Sequence, residues 1–411
     1  MSVVLSRPYQ FIPPHSSDWW PWAIQSLRLI DWHLRKKEGV IGYEVRQIEK
    51  LRDCMSSGDG ILLAPNHCRY ADPIAMGWPA REAGTHLFAM ASWHLFNTTS
   101  FESFALRRMG AFSVNREGAD RTALEYAINV LVEGRRCLLV FPEGTTNRTN
   151  DVLKPLLDGV TFIARAAARK RSKQKAGKVV VLPVGMKYLC AEDYRPWAKS
   201  ELTKLESRIG WRVPAGKSVL QRTIRLAEGM LSLKEIEYLG RSQTGDLRHR
   251  RDRLMYALLE QTESKMGLQP DSEDDVRDRV RVIRSESVLR YFKGLSNGVS
   301  DSQRQELRNE SEDHVVAANL SQDLLSYPDC YLLPGQATDT RIVETIQRTQ
   351  EAIFGKASDT MPLRVVIEMD DPIEVPADRA PRGETDPVLI ELNHRLESMV
   401  DRLAKEANPV T

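Results

Sequence analysis

The short apolar run Gly60-Ile61-Leu62-Leu63 follows a Ser-Ser-Gly-Asp-Gly turn signal and leads through Asn66-His67 to Asp72-Pro73. No other stretch constrains the chain as much. Apolar residues bounded by turn signals read as a buried strand. Pro73 suits a first helical position, because its φ is fixed and its absent N–H has no intrahelical acceptor to lose. The chain therefore passes from strand to helix between Leu63 and Pro73, with His67 near the strand end and Asp72 at the helix start. The pattern recurs. Cys137-Leu138-Leu139-Val140 precedes Phe141-Pro142-Glu143-Gly144-Thr145-Thr146-Asn147-Arg148, and Val179 to Gly185 is a further strand carrying Pro183. Helical periods lie between, as in Leu124, Ala127, Ile128 and Leu131. Strands alternating with helices predict an α/β fold, a largely parallel sheet flanked by helices. Ligands of such sheets gather beyond the carboxyl ends of strands, where His67 and Glu143 both fall.

On a continuous helix, residues five apart diverge by roughly 140°. A tight strand-to-helix turn removes that divergence and lets the Asp72 carboxylate reach one imidazole nitrogen of His67. The other nitrogen then faces a cleft as a general base, since the ordinary histidine pKa is about 6.5. The carboxylate fixes the tautomer and stabilises the imidazolium that forms. No Gly-x-Ser-x-Gly elbow accompanies the pair, so the attacking hydroxyl is expected from the substrate. The competing reading is structural: Asp before Pro is a helix-cap signal, and a histidine at a strand end is often only packed.

Four blocks occur in order: Asn66 to Asp72, Gly110 to Arg116, Phe141 to Thr145, and the strand around Pro183. Together they resemble the glycerophospholipid acyltransferase family, whose blocks are Asn-His-x-x-x-x-Asp, a segment ending in Arg, Phe-Pro-Glu-Gly-Thr, and a segment centred on Pro. The resemblance covers the first half of the chain. It implies transfer of a fatty acyl group from a thioester, acyl-CoA or acyl carrier protein, to the hydroxyl of a lysophospholipid, 1-acylglycerol-3-phosphate foremost. No permanently bound cofactor and no metal are implied. His67 would be the base and Asp72 its brace. Arg116 would clamp phosphate, with Glu143, Gly144, Thr145 and Arg148 in the acceptor site and Asn66, Pro142 and Pro183 in support. Thr146 stands where many relatives carry Arg, which keeps glycerol-3-phosphate, lysophosphatidylcholine or an aminolipid open as acceptors. A non-catalytic membrane adaptor on an acyltransferase scaffold is the rival of a different class.

A net charge of +2 gives no global field that would argue for nucleic acid. Five dispersed cysteines without a Cys-x-x-Cys pair fit reduced thiols rather than a zinc site. No apolar stretch reaches the roughly 20 residues that span a bilayer, and no secretory leader is expected. Asp18-Trp19-Trp20-Pro21-Trp22 is expected to open one amphipathic helix to about Lys37, apolar through Trp20, Ala23, Ile24, Leu27, Ile30 and Leu34. Clustered Trp beside Arg28, Arg35, Lys36 and Lys37 suits a bilayer interface; docking on the protein's own core is the alternative. Location is expected to be cytoplasmic and peripheral, on the inner face of a membrane. The basic run Arg169 to Lys175 reads as a solvated loop, with headgroup binding as its functional alternative. The expected division is an amphipathic segment over 1–38, an acyltransferase core over 39–190, a helical insertion over 191–361, and the last strand and helix of the core over 362–411. Within the insertion, which leaves room for an unidentified protein partner, the polar stretch Arg304 to Asp313 is expected to be mobile.

Overall fold

The computed structural model describes residues 3–118, 120–174, 176–213, 215–271, 274–295, 298–358, 360–378 and 383–410. Eight strands make one sheet: β1 (Val40–Arg46), β2 (Gly60–Pro65), β3 (Leu87–Ser92), β4 (Ala111–Val114), β5 (Cys137–Leu139), β6 (Val179–Cys190), β7 (Leu363–Met369) and β8 (Ile373–Glu374). Their order is β1-β7-β6-β2-β5-β3-β4, with β8 also on β6. β6, β2, β5, β3 and β4 are mutually parallel. β7 runs antiparallel to β6 and carries β1 parallel to itself, and β8 is also antiparallel to β6, so these three strands oppose the other five. The sheet is thus largely parallel and helix-flanked, as the sequence predicts, with a reversed pair at one end.

Alternation along β2 divides the core in two. Leu62 and Ala64 join one cluster with Phe112, Leu138 and Val181, under the helices Arg121–Glu133, Gly159–Gln174 and Pro387–Ala404. Ile61 and Leu63 join the other with Leu182, Val184 and Ile367, under Leu29–Lys37 and Ile48–Ser56. Both faces are covered, which is why these strands read as unbroken apolar runs.

Pro183 sits inside the central strand β6, where a missing N–H would ordinarily break the ladder. Its carbonyl accepts from Asp370 N–H at 3.0 Å, in the gap between the residues paired with β8 and those paired with β7. The N and C=O of a strand residue face the same side, so the absent donor falls where no strand partner stands.

The amphipathic segment is two helices, Trp19–Ser26 and Leu29–Lys37, rather than one. Arg28 between them is left-handed at φ 52°, a conformation that ends a helix. The break lets Ile30 press on Gly77, where an added Cβ would lie 2.4 Å from Ile30 Cδ1. The basic run is also not a loop. The helix Gly159–Gln174 continues through it, and buried Arg171 donates to Leu131, Val132 and Gly58 carbonyls. It thus satisfies carbonyls at the C-terminus of a neighbouring helix, which would otherwise be orphaned. Lys175 lies outside the described residues.

Six long helices fall between β6 and β7 in sequence: Tyr194–Arg208, Val219–Leu239, Leu247–Met266, Val276–Leu295, Asp301–Leu325 and Asp339–Phe354. They build two apolar cores of their own, the first of which also takes Leu363 of β7. Arg304 to Asp313 is helical, not irregular. Ser300 and Gln303 form a reciprocal capping box at the start of that helix, and the stretch reads as polar because it is the helix's exposed first turns.

Candidate active site

β2 and β5 are parallel neighbours, with Leu62 opposite Leu138 and Leu63 opposite Leu139. Their carboxyl ends therefore deliver the His67 and Glu143 turns to the same edge of the sheet. Asn66 makes the first turn possible. Its side-chain Oδ1 accepts from Met186 N–H at 2.7 Å and its Nδ2 donates to Met186 O at 3.1 Å. The amide thus continues the β2–β6 ladder while the main chain leaves it. Asn150 does the same one pleat further along β6, bonding Tyr188 N–H and C=O at 2.9 and 2.6 Å. Nothing in the sequence around Asn150 marks it for this.

His67 Nδ1 lies 2.9 Å from Asp72 Oδ2. The carboxylate is completely buried and also accepts from Arg69 N–H and the Tyr188 hydroxyl, each at 2.8 Å. It does not cap the helix it opens: Ala71 is the cap residue of Asp72–Ala75, and the carboxyl group turns back to the histidine. Burial, and then the Asp72 charge, push the Tyr188 hydroxyl well above its ordinary pKa, so it stays a proton donor to that carboxylate. Tyr188 escaped the sequence reading because it lies within an otherwise apolar strand. With the proton held on Nδ1, Nε2 is an acceptor. The Thr146 hydroxyl lies on it at 3.0 Å. The ring stacks on Phe141, centroids 4.0 Å apart, and its side chain remains 13% exposed.

Glu143 is buried and acts on backbone. Oε1 accepts from His67 N–H at 2.6 Å and Oε2 from Lys154 N–H at 2.9 Å. Burial raises its pKa to about 7, against the lowering effect of these two bonds. Lys154 is pushed down to about 8, chiefly by burial and against the pull of Glu143; its ammonium bonds Ser326 of the helical region. Gly144 follows at φ 70°, in a turn closed by its N–H on Phe141 O, and a Cβ there would lie 2.3 Å from Leu157 Cδ1. Thr145 Oγ1 is buried without a partner. Pro142 is buried in the same turn. Asn147 N–H donates back to His67 O at 2.6 Å.

The other expected acceptor residues are less gathered. Arg148 pairs with Glu351 of the helix Asp339–Phe354 and lies over the Tyr70 ring. Arg116 follows β4 at the same edge of the sheet and has no hydrogen-bond or ion-pair partner among the described residues. Burial lowers its pKa. Its field reaches Arg284 of the helix Val276–Leu295, held at about 10 by burial first and by Arg116 second. Arg284 Nε is buried and unpartnered. Burial, then Arg116, push His94 down to about 4, so this histidine is neutral. Cys68, beside His67, is buried, and burial raises its thiol pKa well above the ordinary value.

A histidine hydrogen-bonded to a buried carboxylate, with a hydroxyl on its second nitrogen, is equipped to deprotonate an attacking alcohol. Residues 42–187 match a protein-family model described as Acyltransferase. No curated protein matches the chain.

Proposed function

Since residues 42–187 are an acyltransferase domain of the glycerophospholipid acyltransferase family, we propose that this protein moves a fatty acyl group from acyl-CoA or acyl carrier protein to the hydroxyl of 1-acylglycerol-3-phosphate. The observation that carries the reading is the His67–Asp72 pair at 2.9 Å with the ring partly open to solvent. His67 takes the hydroxyl proton as the oxygen attacks the thioester carbonyl, a contribution typically of about 10²–10⁴-fold. Asp72 stabilises the imidazolium, and Tyr188 and Arg69 N–H hold Asp72. A phosphate-bearing acceptor is supported by Arg116 and Arg284, two neighbouring guanidinium groups of which Arg116 makes no ion pair among the described residues and Arg284 keeps its buried Nε unpartnered, with Glu117 as the nearby carboxylate.

A membrane-surface position is supported by the two N-terminal helices. Trp19, Trp22 and Trp32 are each more than half exposed, and Phe101 is 76% exposed on the helix Ser100–Arg108. Trp20 meets Phe104 edge-on at 5.6 Å, joining the two surfaces, and Arg108 lies over both rings. Aromatic rings with adjacent guanidinium groups suit the lipid headgroup layer. No helix among the described residues is long and apolar enough to cross a membrane.

The test is CoA release and lipid product formation from acyl-CoA and 1-acylglycerol-3-phosphate, comparing the native protein with His67→Ala. Loss of at least about a hundredfold is expected. Undiminished turnover in the variant overturns the reading.

A further inference from the structure

We propose that Arg284, which lies outside the family-matched segment, is the second guanidinium of the acceptor-phosphate clamp and selects a phosphomonoester headgroup over a choline diester. The proposal rests on the acyl-transfer reading and keeps direct attack by the acceptor hydroxyl. It concerns how the acceptor is held and which headgroup is admitted.

The helix Val276–Leu295 is fastened over the carboxyl edge of the sheet. At its start Arg277 donates to Pro155 O at 2.6 Å, on the loop where Glu143 holds Lys154 N–H. Arg284 stands two turns further along. Positions seven apart on a helix fall on nearly the same face, about 10 Å apart along the axis. In the sheet, β3 separates β5 from β4. At roughly 4.8 Å per strand, the end of β4 therefore lies about 10 Å from the end of β5. A helix that starts on the loop after β5 and crosses toward β4 brings Arg284 to Arg116, which follows β4. The electrostatics agree, since Arg116, Glu117 and Arg284 lie in one another's fields.

Arg284 is anchored there without being neutralised. It is 8% exposed, and its Nη2 donates to Asn319 of the helix Asp301–Leu325, a neutral amide. Its buried Nε has no partner. A buried charged donor without an acceptor is costly, and a second cation beside it adds repulsion. The carboxylates whose fields reach this pair are Glu117 and Asp323, and neither forms an ion pair with Arg116 or Arg284 among the described residues. Burial raises the Glu117 pKa, and Arg116 and then Arg284 oppose that rise.

Two adjacent guanidinium groups match a phosphomonoester better than a diester. The monoester carries a charge of about −1.5 to −2 near pH 7 and three terminal oxygens, enough for both forks. A choline diester brings a single negative charge, one terminal oxygen fewer, and a cation that the arginine pair repels. The helical region thus supplies part of the acceptor site, and headgroup choice depends on it.

The experiment measures kcat and KM for transfer from palmitoyl-CoA to 1-acylglycerol-3-phosphate and to lysophosphatidylcholine, with thermal melts alongside. The native protein is expected to prefer the phosphomonoester. Arg284→Gln should raise KM for it by about tenfold or more, with kcat and melt near native, and should reduce the preference over lysophosphatidylcholine by a similar factor. Arg284→Lys keeps the charge and loses the fork, so its KM should fall between the two. Should Arg284→Gln melt far below the native protein, the Lys variant carries the test by the same ratio. A native KM and a native preference in a folded variant, or a fall in kcat at unchanged KM, overturns the role of Arg284 and leaves Arg116 as the clamp. A native protein that prefers lysophosphatidylcholine overturns the phosphate clamp while acyl transfer stands. A native protein that transfers to no acceptor, from palmitoyl-CoA or palmitoyl-acyl carrier protein, overturns the acyl-transfer reading itself.

Discussion

Asp72 shows how little of a functional role is fixed by a residue's sequence neighbours. Asp-Pro is a helix-start signal, yet this carboxylate faces away from the helix and accepts from His67, Arg69 and Tyr188. In Asp72→Asn, the amide oxygen can keep the His67 and Arg69 bonds, and the NH₂ can donate to a reversed Tyr188 hydroxyl. The fold should therefore be near native, while loss of the charge that stabilises the imidazolium should lower turnover by about 10²–10⁴-fold. Parallel loss of melting temperature and activity would favour a structural role. Glu143 gives a pH prediction. Its pKa in the fold is about 7, above the ordinary 4.5, so the folded protein binds the extra proton between those values. Its contribution is complete below about pH 4.5 and is lost as pH rises through 7, on the order of 3 kcal/mol at most. Urea unfolding at pH 5 and pH 8 should show the native protein's margin over Glu143→Gln narrowing at the higher pH; a widening margin would refute the assignment.

At the scale of elements, the strands were the most legible. The strand expected after residue 361 is β7, and the Gly60 and Val179 runs open β2 and β6, because burial on both faces leaves an apolar signature. The His67 and Asp72 turn was legible from its proline and its spacing. What the sequence concealed was long-range satisfaction of polar groups. Asn150 bonding β6, Tyr188 bonding Asp72 and Arg171 collecting carbonyls each depend on a partner more than thirty residues away. The split of the N-terminal helix belongs to the same class, since the packing of Ile30 on Gly77 outweighs helical continuity. The break leaves Trp19, Trp22 and Trp32 exposed. Replacing all three by Ser should weaken binding to vesicles containing anionic lipid, read by co-sedimentation, without lowering the thermal melt; unchanged co-sedimentation would remove these helices as the lipid contact.

Across the whole molecule, the helical region between β6 and β7 is tied by polar contacts to the edge of the sheet that carries the His67 turn. Lys154 bonds Ser326, Arg148 pairs with Glu351, and Arg69 Nη2 donates to Gln347 at 2.5 Å. Buried Asp151 joins Lys187 of β6 to Arg341. Breaking one member of such a buried set leaves an uncompensated charge, which costs about 3–5 kcal/mol. The family-matched segment 42–187 is therefore not a unit complete in itself. It lacks β7, the strand between β1 and β6. Expressed alone, 42–187 should fail to give a cooperative unfolding transition, whereas the full chain should give one; a cooperative, well-dispersed fragment would contradict this.

β1 has β7 as its sheet neighbour, with Val40 opposite Leu363, and hundreds of positions of chain separate the two. During synthesis, β1 leaves the ribosome long before β7 and must wait for it before it acquires its hydrogen bonds. A nascent chain would expose the Val40 edge and the tryptophan-rich helices throughout that interval. A lipid surface or a chaperone near the exit site would thus meet β1 and these helices before the sheet is closed.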